Sequence, residues 1–445
     1  MTQHLVLGLA VTGSAVLRGL VQRGEGAIAV DDRPTDAGRT LAASLDVELV
    51  EAPDAASLAA LVGRVDAVVP SPGVPDHHPI FGLARDAAVP VLSEFDLAGR
   101  WDDRPVVAIT GTDGKTTVTE LTTAMLEASG RRAVAAGNTE VPLVAAIDDP
   151  TIDVFVVEAS SFRLLHSSRF APAVGVWLNV APDHLDNHAT FDAYVDAKAR
   201  LWKDQDAGDV AIGNADDPVV LERLRRATAR QETFGLTGGA ENRLEGEHLV
   251  LADGERLLSV GELPRAFPHD IANALAAAAG ARRVGATIDG CRTAVRSFVG
   301  LPHRVSLVGE AGGVRWYDDS KATTTHATHA AVQAFDSVVL IAGGRNKGLD
   351  LGALAADRDR IRAVVAIGEA APEVAAAFDG VRPVRVATSM DDAVDAAASL
   401  AQSGDVVLLS PACASFDWYR SYAERGDDFT RAVRAHLEPV AGACV

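Results

Sequence analysis

This chain has almost no lysine. Of 41 basic residues among 445, only five are lysines: Lys115, Lys198, Lys203, Lys321 and Lys347. Where arginine fills nearly every ordinary cationic position, a surviving lysine is enriched for work a guanidinium cannot do, as a compact point charge or an amine of shiftable pKa. The bland alternative for any one of them is retention on a solvated face, which is how Lys203 reads. Cysteine is also scarce. Cys291, Cys413 and Cys444 are odd in number and widely spaced, which excludes a disulfide framework and a zinc knuckle. No apolar run approaches the roughly 20 residues of a membrane span; the Ala-rich run from Ile271 to Gly280 stops short. The opening MTQHLVLGLAVTGSAV has no Lys or Arg ahead of its apolar run, which breaks at Thr12-Gly13-Ser14, so a secretory signal is not expected and the chain reads as cytoplasmic. Positive charge is in deficit, 41 against 61, for a net charge of −20. Such a surface repels phosphate backbones and argues against nucleic acid as a partner. Small anionic substrates stay open, because a metal ion or a few local cations reverse the field inside a cleft.

Short apolar runs alternate with helical patterns along the whole length, the signature of an α/β fold class built on parallel sheets. In residues 1–103 the expected strands are His4–Gly8, Ala27–Val30, Ala67–Val69 and Val89–Leu92. Trp101 to Pro105 reads as a linker. A second series fills 104–300 and includes a hairpin in Glu241–Val260 turning at Asp253-Gly254. A third, 301–445, has strands at Ser337–Ala342, Ala363–Ile367, Val384–Val386 and Asp405–Leu409. Three domains are expected.

Five features carry chemistry. Gly8-Leu9-Ala10-Val11-Thr12-Gly13-Ser14 follows a strand and opens a helix, like a dinucleotide turn whose middle glycine is Ala10, with Asp31-Asp32-Arg33 where a ribose-reading acid belongs. A dehydrogenase, a nucleoside-diphosphate site and a structural turn all remain open on that evidence alone. Strand Pro105–Thr110 runs into Gly111-Thr112-Asp113-Gly114-Lys115-Thr116-Thr117 and a helix with apolar Val118, Leu121, Met125 and Leu126 on one face. This is the context of a phosphate loop: backbone N–H groups curl round phosphates, Lys115 adds charge and Thr116 reaches Mg²⁺. Glu158, ending the Asp153–Val157 strand, is the acid that would share the metal, or else a capping carboxylate. Finally, in the helix capped by Thr190, Lys198 falls on or beside the stripe of Phe191, Tyr194, Val195, Leu201 and Trp202. A buried lysine must pair, snorkel or lose its charge; a neutral amine can take up CO₂ as a carbamate, an oxygen ligand suited to Mg²⁺. Upstream, Asp183-His184-Leu185-Asp186 is either a structural loop or a source of ligands for a second metal.

Taken together these residues resemble the Mur ligase family over essentially the whole chain. The resemblance rests on Gly111–Thr116, Glu158–Ser161, Asn179–His184, Lys198, Leu301-Pro302-His303-Arg304, Asp319–Thr323 and Ser410–Ser415, and three of the five lysines lie in these motifs. It implies a Rossmann-like first domain (1–103), a central P-loop ATPase-like domain (104–300) and a Rossmann-like C-terminal domain (301–445). It also implies an ATP-dependent ligase, most like the branch that adds D-glutamate to UDP-N-acetylmuramoyl-L-alanine in peptidoglycan synthesis through an acyl phosphate. The alternative is a related Mur-type or folylpolyglutamate-type ligase with another amino acid or acceptor.

The implied roles follow the motifs. The loop Gly111–Thr117, with Asn273, Arg304 and Asp319, would bind ATP. Thr116 and Glu158 would hold one Mg²⁺, and His184 with carbamylated Lys198 a second, Mn²⁺ substituting for either. Val11, Thr12, Asp31, Arg33 and Ser71 would hold the UDP group, and Asn138, Ser160 and Ser161 the muramoyl side. Thr323, Lys347, Ser415, Phe416 and Tyr422 would bind glutamate, and Lys321 joins Lys115, Asn138, Glu158, His184 and Lys198 as catalytic. The chain is expected to act as a monomer with neither nucleic acid nor membrane as partner. Four positions depart from the family pattern: Asp113, Asp270, Thr324 and the triplet Arg345-Asn346-Lys347.

Overall fold

The computed structural model describes residues 2–184 and 187–438; Leu185, Asp186 and Cys444, singled out above, lie outside them. Nineteen strands among the described residues form three sheets. The first holds β1 (Gln3–Leu7), β2 (Gly26–Asp31), β3 (Glu48–Glu51) and β4 (Ala67–Pro70), all parallel, in the order β3-β2-β1-β4. The second holds β5 (Val106–Thr110), β6 (Ala133–Gly137), β7 (Val154–Glu158), β8 (Val174–Trp177), β9 (Val210–Asn214), β10 (Arg230–Gly235), β11 (Asn242–Glu245), β12 (His248–Val250) and β13 (Arg256–Ser259). Their order is β13-β12-β11-β10-β9-β8-β5-β7-β6. The third holds β14 (Ser306–Ala311), β15 (Val314–Asp318), β16 (Val338–Gly343), β17 (Ile361–Ile367), β18 (Val384–Val386) and β19 (Val406–Leu409), in the order β14-β15-β19-β16-β17-β18.

Each sheet has a point where strand order reverses, and that is where an open α/β sheet forms its crevice. In the first sheet β1 lies between β2 and β4, and the glycine turn follows β1. In the second, β5 lies between β7 and β8, and the phosphate loop follows β5. In the third, β16 and β19 are neighbours whose following loops carry Gly343-Gly344 and Ser410–Ser415. The central strands are buried on both faces, as runs such as VVAIT and VFVVE require. Val107 and Ile109 point into a cluster with Val118, Leu121, Met125 and Leu126 of the loop's own helix, while Ala108 points to the other face with Phe155, Val157 and Trp177. The Ala-rich run lies within the buried helix Pro268–Arg283.

The chain divides into two compact units, Met1–Val180 with Asn187–Phe298, and Ala181–Asp186 with Val299–Val445. Within the first unit, one apolar cluster joins Val6, Leu17 and Leu20 from around the first sheet to Phe155 and Trp177 of the second. Polar bonds accompany it: Asp96 accepts the backbone N–H groups of Ser168 and Arg169 at 2.7–3.0 Å, and the Ser93 and Ser167 hydroxyls lie 3.0 Å apart.

Local pattern misplaced some edges. Val89–Leu92 is not a strand; Val91 makes only an isolated parallel bridge to Val68. β3 was missed because its ELVE sequence puts charge at both ends, and the half-exposed hairpin β14–β15 has no clean alternation. Trp101 closes the helix Glu94–Trp101 instead of opening the linker. The Glu241–Val260 hairpin is three antiparallel strands, turning at Asp253-Gly254 as expected.

Candidate active site

The phosphate loop is held from one side by the first residue of the Asn179–His184 motif. Asn179 Oδ1 accepts the N–H groups of Thr112 and Asp113 at 3.0 and 2.9 Å, and its Nδ2 donates to the Asp113 carbonyl at 3.1 Å. Gly114 caps the helix Lys115–Ala128 at φ +84°, where only glycine sits without strain, and a Cβ there would meet Asn273 Oδ1 at 3.0 Å and Leu178 Cδ1 at 3.2 Å. Lys115 Nζ donates to the carbonyls of Gly111 and Thr112 at 2.9 and 2.8 Å. Lys198, from the helix Phe191–Ala199, donates to the same Gly111 carbonyl at 2.7 Å. Its side chain is 1% exposed, with Nζ 4.5 Å from the Tyr194 ring centre, so it does not snorkel. Tyr194 in turn places its hydroxyl 3.2 Å from the Thr112 hydroxyl.

Glu158 ends β7 beside the loop and is buried. Its Oε1 accepts Asn138 Nδ2 at 2.8 Å, while Oε2 is buried with no hydrogen-bond partner. A buried, unpartnered carboxylate oxygen is costly unless something cationic fills it. Burial, and then Glu158 itself, push the Glu120 carboxyl above its usual range, a second sign of negative potential here. These donors suit a hard cation taking oxygen ligands, and the residues present fit Mg²⁺ in that respect. Among the described residues no group of three or more His, Cys, Asp or Glu side chains could hold a metal, so waters, Thr116 and substrate phosphates would complete such a shell.

Two residues past β7, Ser160 caps the short helix Ser161–Leu165, accepting the Arg163 N–H at 3.4 Å. Ser161 Oγ lies 3.0 Å from Nε2 of buried His188, whose ring stacks near Phe162 and Tyr194. Sequence reasoning missed Asn179, His188 and Tyr194 as site residues, since their partners lie tens of positions away.

At the first sheet, Gly8 has φ +84°, and a Cβ on Gly13 would lie 1.8 Å from the Gly8 carbonyl oxygen, so helix and turn approach as closely as backbone allows. Ser71 Oγ donates to that carbonyl at 2.7 Å. Asp31 accepts the N–H groups of Leu9 and Arg33 at 2.6 and 2.8 Å, tying the two loops. Val11 and Arg33 are exposed, and Thr12 is buried.

In the second unit, Asp319 is buried. Burial pushes its carboxyl up to about 7, against the Ser410 hydrogen bond at 2.8 Å and the field of Arg304. The Val305 N–H also reaches it, at 3.2 Å. Neighbouring Asp318 accepts from His303 at 2.6 Å and holds that imidazole above its usual range. Lys321 Nζ donates to the Tyr422 hydroxyl at 2.9 Å. Ser415 is buried, Thr323 half-buried and Phe416 exposed. Buried Arg425 donates to Ser320 Oγ, Ser320 O and Cys413 O, anchoring both segments. Lys347 donates to Asp183 at 2.9 Å, and His184, at φ +55°, keeps Nε2 3.3 Å from the same carboxylate.

The departures from the family pattern have structural places. Thr324 caps the helix Thr325–Val332, Asp270 takes a two-point pair from Arg265 at 2.6–2.7 Å, and Arg345 pairs with Glu369. Asp113 meets Asn179 through its backbone.

A switch-point phosphate loop with an adjacent buried acid defines a nucleotide-binding α/β protein of the P-loop kind. Residues 109–281 match the Mur ligase middle domain, and residues 303–413 the Mur ligase, glutamate ligase domain. The chain belongs to the Mur ligase family. It is 44% identical over 97% of its length, and 93% of the relative's, to the UDP-N-acetylmuramoylalanine--D-glutamate ligase of Frankia casuarinae. With the ligase of that name from Geobacter metallireducens it shares 40% identity over 97% of both chains. Its fold is also that of the UDP-N-acetylmuramate-alanine ligase of Thermotoga maritima, at TM-score 0.57 and 18% identity over 98% of this chain and all (100%) of that one.

Proposed function

We propose that this chain joins D-glutamate to UDP-N-acetylmuramoyl-L-alanine at the expense of ATP, through an acyl phosphate. The observation that carries this reading is the phosphate loop at a switch point with the unpartnered, buried Glu158 oxygen beside it. A carboxylate does not condense with an amine at neutral pH, because oxide is a poor leaving group. In the first step an alanyl carboxylate oxygen attacks the γ-phosphorus and ADP departs. In the second the glutamate amine attacks the acyl carbon, phosphate leaves with one former carboxyl oxygen, and the amine loses its proton. No side-chain nucleophile is required; the protein positions groups and neutralises oxygen charge.

Lys115 and the loop N–H groups hold the ATP phosphates, with Asn273, Arg304 and Asp319 at the adenosine. Thr116 and Glu158 hold one Mg²⁺, and His184 with carbamylated Lys198 a second, with Mn²⁺ as a substitute. When bound, the metal neutralises phosphate and carboxylate oxygens. Val11, Thr12, Asp31, Arg33 and Ser71 hold the UDP group, and Asn138, Ser160 and Ser161 the muramoyl arm. Thr323, Lys347, Ser415, Phe416 and Tyr422 hold glutamate, and Lys321 stabilises developing charge. Three domains, 1–103, 104–300 and 301–445, each carry one reactant. Among the described residues no helix is long and apolar enough to cross a membrane, and the reading places the enzyme in the cytoplasm as a monomer.

The test is isotopic. With ¹⁸O in the alanyl carboxylate, label appears in inorganic phosphate only when the nucleotide-sugar, ATP and D-glutamate are all present. Release of unlabelled phosphate under those conditions refutes the acyl-phosphate route.

A further inference from the structure

The glycine turn of the first sheet is completed by a side chain from the second. Arg163, on the helix Ser161–Leu165, donates through Nη2 to Thr12 Oγ1 at 3.1 Å, across 151 positions of sequence. The guanidinium is 8% exposed and paired through Nη1 with Glu94 Oε1 of the helix Glu94–Trp101, itself buried. Glu94 Oε2 accepts the Val144 N–H at 3.4 Å. Burial draws the Arg163 guanidinium down to about 10, so it stays cationic at neutral pH.

The chemistry of this contact is one-directional. A guanidinium has only donors, so the Thr12 oxygen must accept, and its proton points elsewhere. The usual outlet for a threonine proton is the carbonyl one turn back. Here that carbonyl, Gly8 O, accepts the Ser71 hydroxyl at 2.7 Å, and the Thr12 hydroxyl makes no bond to it. Thr12 is the second residue of the helix Val11–Gln22, whose cap, Ala10, supplies no side-chain bond and whose first turn holds no acid. The N–H groups there and the Thr12 O–H are therefore donors with a common outlook, suited to anionic oxygen.

We propose that Arg163, held by Glu94, is a positioning residue that fixes the Thr12 hydroxyl as a hydrogen-bond donor to the diphosphate of the nucleotide-sugar. This rests on reading the glycine turn as the diphosphate site. Glu94 neutralises Arg163, so the pair supplies direction and little net charge. Because the same residue's backbone N–H is capped by Ser160, the turn that grips the diphosphate and the serines beside the acceptor arm are joined through one residue.

UDP binding, measured by calorimetry, tests this in four proteins: wild type, Thr12→Val, Glu94→Gln/Arg163→Met, and the triple variant. The paired substitution avoids stranding a buried carboxylate. Thr12→Val and the pair each weaken UDP binding about tenfold, the size of one hydrogen bond to an anion. The triple variant falls less than about twofold further, since both act through one hydroxyl. Multiplying losses overturn the proposal, as does a steep salt dependence of the Arg163 effect, the mark of direct contact with phosphate. ATP affinity in the same samples stays within about twofold as a check on folding, by the same additivity argument. If the paired variant loses ATP binding, Arg163→Lys decides: it keeps a charged donor, and UDP affinity within about threefold of wild type supports the proposal while a tenfold loss refutes it. A wild-type protein that binds ATP but no UDP removes the diphosphate reading itself, a result distinct from either.

Discussion

Asp319→Asn should stabilise the protein much more at pH 8 than at pH 5. The folded chain holds the Asp319 proton up to about pH 7, whereas an unfolded chain releases it near the ordinary value of 3.8. Between those values the folded state binds more protons, so stability falls as pH rises and levels off above about 7. A shift of that size corresponds to about 4 kcal/mol at most. Against it stands the acceptor that Asn surrenders: Asp319 takes Ser410 Oγ and Val305 N on separate oxygens, and an amide keeps one, a loss of about 1 kcal/mol. The net gain at pH 8 is about 2–3 kcal/mol, from those two terms together. Urea melts of both proteins at pH 5 and pH 8, followed by tryptophan fluorescence, measure it; Trp316, on the strand ending one residue before Asp319, is buried and reports on that sheet. An equal difference between the two proteins at both pH values would refute the argument that burial opposes ionisation here.

Lys198→Arg keeps charge but cannot form a carbamate, and ligation should fall by several orders of magnitude; Lys198→Ala should regain part of its activity with added acetate or bicarbonate. Near-normal turnover by the arginine variant would dismiss the carbamate. Glu158→Gln preserves shape and the Asn138 contact, so the protein should fold while the Mg²⁺ concentration for half-maximal rate rises at least about tenfold, as expected for a lost anionic ligand. An unchanged metal requirement would place the cation elsewhere. Lys347→Met should raise the glutamate KM with ATP binding retained, and an unaltered KM would remove Lys347 from that pocket.

The parts of the site legible in the sequence are those whose chemistry is local. The phosphate loop announces itself because strand, glycines, lysine and helix are contiguous, and the burial of Lys198 follows from its spacing between Tyr194 and Leu201. Asn179 cannot be found in that way, since its clamp on Thr112 spans 67 positions. Nor can the Arg163–Thr12 bond, whose partners lie 151 positions apart. Strand edges failed for a related reason: Val89–Leu92 has the composition of a strand, but pairing is decided by neighbours the segment does not contain.

The apolar cluster running from Val6 to Trp177 ties the first sheet to the second inside one compact unit. A fragment ending at 103 would be left with bare valine and leucine where its support had been.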